Sequence, residues 1–338
     1  MEAGNLMGGG NGIPKAPFPY FGGKNLVASV VWAALGNCKS YLEPFFGSGA
    51  VLLARPNYCA GEHIETICDA DGFVANVWRA LQSDPDEVAR WCDWPINHAD
   101  LSARKRRLIA NEARLLENLS ADETWYDAKL AGYWIWAASC WIGGGLTKLG
   151  AIPHVGASGA GVHALGRRPH VGASGAECAD VRAPYNTNVY AWFRRLSERL
   201  RYVRVVCGDW SRVCGGNWQD NAPPVGIFLD PPYSIEDRDQ GIYQVESRTV
   251  AQEVVTWALG RGDRQSYRIV VAGYEGEHTR LDAASWCRHQ WNATGGYGKL
   301  ARSGDNTRGL DNRHRECLWF SPHCQNDDAP TQLTLEES

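Results

Sequence analysis

The chain has 338 residues and a mass of 37.3 kDa, enough to bury a full core without disulfide or metal staples. Hydrophobic residues make up 44% and charged residues 21%, which excludes disorder as the main state. Net charge is −4, with four acids and no Lys or Arg in the last 18 residues; the remaining body is neutral, so bulk charge does not argue for nucleic acid, although a local basic face stays open.

No run of about 18 apolar residues occurs, so no transmembrane helix is expected. The first residues, MEAGNLMGGGNG, carry neither a basic n-region nor an apolar h-region. No export signal is expected, and a cytoplasmic location follows. Eleven cysteines, an odd number with no CxxC pair, exclude zinc knuckles and thioredoxin motifs. They are expected to be reduced and mostly buried. Most of the fifteen tryptophans are expected in the core, with a few free to stack on bases.

In chain order, residues 1–16 are Gly- and Asn-rich and expected to be flexible. Alternating patterns follow: helix Asn25–Leu35, strand Ser40–Pro44, a Gly loop, helix Ala50–Arg55, strand Ile64–Asp69, helix Gly72–Leu81. The alternation predicts an α/β fold with a parallel sheet. The middle is helical in Asp86–Trp91, Ala99–Asn118, Ala128–Trp141 and Val189–Leu200. Gly143–Ala183 is a long Gly/Ala/Ser loop in which the octet PHVGASGA appears twice, at Pro153–Ala160 and Pro169–Ala176. Two copies are too few for a solenoid. Strands Tyr202–Cys207, Val225–Leu229 and Tyr267–Val271 resume the pattern, with helix Val250–Leu259 between the last two. Trp286–Asn292 and Glu316–Phe320 suit a closing β-hairpin. The expected organisation is a discontinuous catalytic domain, 17–83 and 201–322, interrupted by a helical region, 84–200, and followed by an acidic tail, 323–338.

Three motifs carry chemistry. In YLEPFFGSGAVLLA, Tyr41–Ala54, a short strand meets a glycine turn and an apolar helix. Gly47 and Gly49 permit a tight turn and close approach to a ligand, and the helix start offers free amides. A plain strand–turn–helix junction has the same pattern. Asp69 ends the next strand, 20 residues after Gly49, where a carboxylate can accept from both hydroxyls of a ribose. It could equally cap the following helix, and Asp71 competes for both roles. In FLDPPYS, Phe228–Ser234, an apolar strand runs into Asp230, Pro231, Pro232 and Tyr233. The prolines remove donors and leave carbonyls to accept, and the aromatic can stack on a planar base. The set suits an exocyclic amine whose lone pair must leave conjugation.

The ordered set PYFGGK (Pro19–Lys24), EPFFGSGAV (Glu43–Val51), Asp69, CGDW (Cys207–Trp210) and DPPY (Asp230–Tyr233) resembles the DNA adenine methyltransferase family of bacterial and phage type. ECLWFSP, Glu316–Pro322, resembles that family's last strand. The resemblance spans about residues 17–322 and leaves the middle unmatched in detail. It implies a Rossmann-like, S-adenosylmethionine-dependent methyltransferase sheet with an inserted target-recognition region. It implies that Tyr20, Gly23 and Lys24 line the S-adenosylmethionine pocket and cleft mouth. Phe45, Gly47 and Gly49 would wrap the methionine moiety, Asp69 the ribose, and Asp209 would sit near the cofactor's adenine. Asp230 and the Pro231 carbonyl would bind the target amine, Pro232 would stiffen the turn, and Tyr233 would stack on the base.

A base inside a duplex cannot reach a cleft, so such an enzyme flips it out over a basic surface. Arg104, Lys105 and Arg106, in the cluster ARKRR at Ala103–Arg107, are one candidate for double-stranded DNA. Arg194 and Arg195, among the seven arginines of Arg182–Arg212, are another, and Gly295–Arg315 is a third. A solvated helix face is the alternative for each helical cluster. His154, His163 and His170 lack a Cys or acid at ligand spacing, so no metal is expected. A monomer suits the chain. The expected reaction is direct methyl transfer to the amine of adenine in DNA. The alternatives are cytosine, RNA or a glutamine side chain as acceptor, and a DNA-binding relative without catalysis.

Overall fold

A computed structural model of the protein describes residues 15–18, 20, 24–95, 97–140, 146, 189–216, 218–232, 249–284, 286–291 and 316–325. The elements follow in order: α1 (Ala28–Leu35), β1 (Ser40–Glu43), α2 (Ala50–Leu53), β2 (Ile64–Asp69), α3 (Gly72–Ser83), α4 (Pro85–Cys92), α5 (His98–Ala121), α6 (Ala128–Cys140) and α7 (Val189–Leu200). Next come β3 (Val203–Cys207), α8 (Ser211–Cys214), a 3-10 turn (Trp218–Asn221), β4 (Val225–Leu229), α9 (Val250–Gly262), β5 (Tyr267–Tyr274), α10 (Thr279–Ala283), β6 (Cys287–Gln290) and β7 (Glu316–Phe320).

Seven strands form one sheet in the order β3-β2-β1-β4-β5-β7-β6. Pairs β2–β3, β1–β4 and β4–β5 are parallel, and β7 runs antiparallel to both β5 and β6. The sheet is mixed, with its antiparallel end made by the predicted closing hairpin. It agrees with the expected S-adenosylmethionine-dependent methyltransferase fold.

Local chemistry explains the boundaries. β4, VGIFL, is buried at every position, as a central parallel strand must be. Asp71 caps α3 by accepting from the Phe73 and Val74 amides. Asp84 caps α4, with Pro85 at its first position. Asn97 caps α5 by accepting from the Asp100 amide at 2.7 Å. The predicted helix Asn25–Leu35 begins only at Ala28, after a turn. The short α8 and α10 have too few residues for a periodic signal and were not expected.

The described residues fall into two compact units. One takes those of 15–25 and 43–216, and the other those of 26–42, 217–232 and 249–325. Within the first, α3 packs against α5, α6 and α7 as well as β2 and β3. The helices of 84–200 therefore share a core with β2 and β3 through α3. Trp78 and Trp136 lie wholly inside this core. Within the second unit, α1 packs on β4 and β5, and α9 on β5.

Eight of the ten described cysteines are buried, and none of those described is in a disulfide. Among the described residues, no helix is long and apolar enough to cross a membrane. The PHVGASGA octets, the three histidines near them, the loop 295–315 and residues 326–338 of the acidic tail lie outside the described residues.

Candidate active site

In the first unit the chain leaves β1, turns through Phe45–Gly49 and enters α2. Gly47 has φ +49° and Gly49 φ +67°, backbone that L side chains rarely adopt. A Cβ on Gly47 would stand 2.5 Å from the Tyr20 ring, and one on Gly49 2.5 Å from the Phe46 ring. The predicted requirement for glycine is thus met twice over, by torsion and by space.

The loop is pinned from several sides. The Phe46 amide donates to the Cys68 carbonyl of β2 at 3.1 Å. The Gly47 amide donates to Asp69 Oδ2 at 2.8 Å. Trp78 Nε1, from α3, donates to the Gly47 carbonyl at 2.9 Å in a buried bond. Glu43 Oε2 accepts from the Leu52 amide at 3.2 Å and ties β1 to α2. Trp78 and Glu43 were not singled out in the sequence. A tryptophan on the apolar face of α3 signals only core, whereas Glu43 could have been noticed as a buried acid opening the glycine motif.

The two acids after β2 divide their roles. Asp71 is the helix cap. Asp69 holds the turn, with Oδ1 accepting from the Asp71 amide at 2.9 Å and Oδ2 from Gly47. An ionised carboxylate offers about four lone-pair positions, so each oxygen keeps capacity for another donor. Asp69 is half-buried. Burial pushes its carboxyl up to about 6, against the two amides that lower it. Burial, then repulsion from Asp69, pushes Asp71 up to about 7.

Beside this turn, Phe45 stacks on Trp210 with ring centroids 6.3 Å apart. Asp209 is exposed, and its Oδ1 accepts from the Ser211 amide at 2.9 Å, opening α8. Cys68 Sγ donates to the Gly208 carbonyl at 3.3 Å. Tyr20, half-buried, lies over Gly47, and Lys24 is buried. Tyr20, Phe45, Gly47, Gly49, Asp69 and Asp209 thus all belong to this one unit and sit on its loop, strand ends and flanks. Gly23 lies outside the described residues.

In the second unit Asp230 follows β4 directly, just beyond the register pair Leu229–Val271 with β5. It is half-buried, Pro231 is buried and Pro232 half-buried. Tyr233 lies outside the described residues. Just before α10, the buried His278 shares a hydrogen bond with the Ala272 carbonyl of β5 at 3.2 Å, and burial lowers its basicity.

The basic clusters need correction. Arg104 and Lys105 are buried, so they do not present charge to a partner. Leu101, Leu108 and Leu115 mark the inward face of α5, and Arg104 lies on that face. Its guanidinium donates to the Trp91 carbonyl at 2.8 Å and stacks at 4.3 Å on Trp136 and 4.4 Å on Tyr133. Arg106 and Arg107 are exposed. Arg194 is exposed but forms a bidentate pair with Asp86, both bonds 2.8 Å, and Arg195 is half-buried. Arg199, in the same arginine-rich segment, is buried against Glu65. Among the described residues no cluster of three or more His, Cys, Asp or Glu could hold a metal.

No curated protein matches the chain. A family model described as D12 class N6 adenine-specific DNA methyltransferase matches residues 20–129. That segment holds Tyr20, the glycine loop, both acids and Trp78, and it ends before Asp230. Over that segment, and with a mixed seven-stranded sheet that agrees with it, the chain is similar to the D12 class N6 adenine-specific DNA methyltransferase family.

Proposed function

We propose that the enzyme takes its methyl group from S-adenosylmethionine and transfers it directly to an adenine flipped out of double-stranded DNA. Methyltransferases of this kind generally use that cofactor. The observation that carries the reading is the glycine loop joined to Asp69: two left-handed glycines, and a half-buried carboxylate with acceptor capacity to spare. These residues fit the cofactor, since the loop brings bare backbone to a helix start and the carboxylate matches a ribose diol.

In this reading Asp69 accepts from the ribose hydroxyls, Gly47 and Gly49 let the backbone approach the methionine moiety, and Tyr20, Gly23 and Lys24 border the pocket. Phe45 borders the methionine moiety with Gly47 and Gly49, and Asp209 lies near the adenine end. When bound, the sulfonium supplies an electrophilic methyl carbon. Asp230 and the Pro231 carbonyl accept the two N–H bonds of the target amine and draw its nitrogen towards tetrahedral geometry. The lone pair then leaves conjugation and can attack. The new N–C bond would form as the methyl carbon's bond to sulfur breaks, its electron pair leaving on the neutral thioether, and one amine proton leaves with Asp230 as the acceptor at hand. Pro232 stiffens the turn, and Tyr233 holds the base plane. Positioning supplies most of the rate in a transfer between two bound reactants. The helical region 84–200 serves target recognition, with Arg106 on the DNA side. No covalent enzyme intermediate is needed.

Tritiated S-adenosylmethionine with mixed-sequence duplex DNA, followed by nucleoside analysis, tests the reading. Label in N6-methyladenine is expected. No cofactor binding, or label confined to another base, would overturn it.

A further inference from the structure

We infer that Trp78 is a positioning residue, which aims the backbone amide of Ser48 at the bound cofactor. The inference rests on the cofactor reading above. Gly47 is held at both of its peptide groups: its N–H by Asp69 at 2.8 Å and its carbonyl by Trp78 Nε1 at 2.9 Å. A trans peptide sets its N–H opposite its C=O. Fixing the Gly47 carbonyl on the indole therefore directs the Ser48 N–H away from Trp78. Ser48 is 6% exposed, and its amide has no acceptor among the described residues. A buried N–H without a partner is costly, so the donor is set aside for a ligand acceptor.

Trp78 is suited to hold that plane. It is wholly buried, on a helix whose cap, Asp71, is bonded to the same Asp69 that holds Gly47. Phe46 and Phe18 pack on its ring at 5.0 and 5.6 Å, and this close packing restrains the indole. Phe18 in turn packs edge-on against Trp134 of α6 at 4.8 Å. Without the indole N–H, Gly47 is free to rotate its carbonyl towards water, because a glycine has no Cβ to oppose it. Binding must then restore the lost geometry.

The test replaces Trp78 site-specifically by 3-benzothienylalanine, the same two-ring shape with sulfur where the indole has N–H, alongside Trp78→Phe. Affinity for S-adenosylmethionine and for a non-transferring analogue is measured by calorimetry, and thermal melting follows the fold. Kd is expected to rise about tenfold, the effect of one buried acceptor left unmet, while kcat at saturating cofactor stays within about twofold of wild type. Trp136→Phe is the control: Trp136 is equally buried and loses the same kind of bond, to the Trp94 carbonyl, away from the loop. Its Kd is expected to stay within about twofold. An unchanged Kd in the benzothienyl protein, or an equal rise in the Trp136 control, overturns the inference. Failure of the wild-type protein to bind the cofactor would instead overturn the reading on which it rests.

Discussion

Asp69→Asn separates the structural and ligand-binding duties of one side chain. The carboxylate accepts from two backbone amides, Gly47 at 2.8 Å and Asp71 at 2.9 Å. An amide has a single acceptor oxygen, so one of the two N–H groups would face an NH2 and lose its partner. That costs about 1–3 kcal/mol of stability. Part is returned, because Asp71 would no longer feel the charge of Asp69. Net destabilisation near 1 kcal/mol is therefore expected, visible as a small drop in melting temperature. Cofactor affinity should suffer more. Hydrogen bonds to a charged acceptor contribute about 1.5–3 kcal/mol each, so losing one ribose contact weakens Kd roughly 10- to 100-fold.

The pH dependence has a definite sign. Burial raises the Asp69 carboxyl to about 6 in the folded protein, so it is ionised above that pH and protonated below. Wild-type affinity should fall as pH drops from 7 to 5, and that of Asp69→Asn should stay flat. Stability should move oppositely: a raised carboxyl pKa costs stability above the folded pKa, and acidification through 6 removes that cost. Calorimetry at pH 5, 6 and 7 checks both. A wild-type Kd that is constant over this range, or Asp69→Asn binding as tightly as wild type, would refute the assignment of Asp69 to the ribose.

Asp230→Ala is expected to abolish methyl transfer while leaving cofactor Kd within a fewfold; retained transfer removes Asp230 from the chemistry. Arg106→Glu with Arg107→Glu should weaken DNA binding and flatten its salt dependence, read from filter binding across a salt series. Arg104→Ala should lower stability by about 2–4 kcal/mol, since it strips a buried cation from three aromatic faces and a carbonyl, and its DNA salt slope should match wild type. Glu65→Ala should cost about 3–5 kcal/mol in a denaturant melt, because Arg55 and Arg199 both bond its carboxylate and would be left as buried like charges. A loss below about 1 kcal/mol would show that water reaches the pair.

Much of the chain announced itself locally. β2 and β4 have the predicted limits because each is a short apolar run closed by turn-forming residues. Gly47 and Gly49 were legible as glycines because the torsions they adopt are a property of the residue itself. α7 kept both its ends, since its apolar spacing is confined to one stripe. These features depend on neighbours a few positions away, and a sequence displays such neighbours directly.

Other features depended on which distant surfaces meet. Two acids two residues apart are equivalent in sequence, and packing made Asp71 the helix cap while the Gly47 amide claimed Asp69. The ARKRR run promised a charged face, yet burial of the Leu101–Leu108–Leu115 stripe carried Arg104 inward onto rings from α6. The sevenfold spacing of those leucines held that outcome in outline. What it lacked was the aromatic partner, which lies more than 20 residues further along the chain. The bond from Trp78 to Gly47 spans 31 positions and has no local trace at all. Short-range preferences set torsions, periods and caps, whereas the choice among equivalent charges, and the aim of a loop's amides, waited on contacts that exist only once the chain is packed.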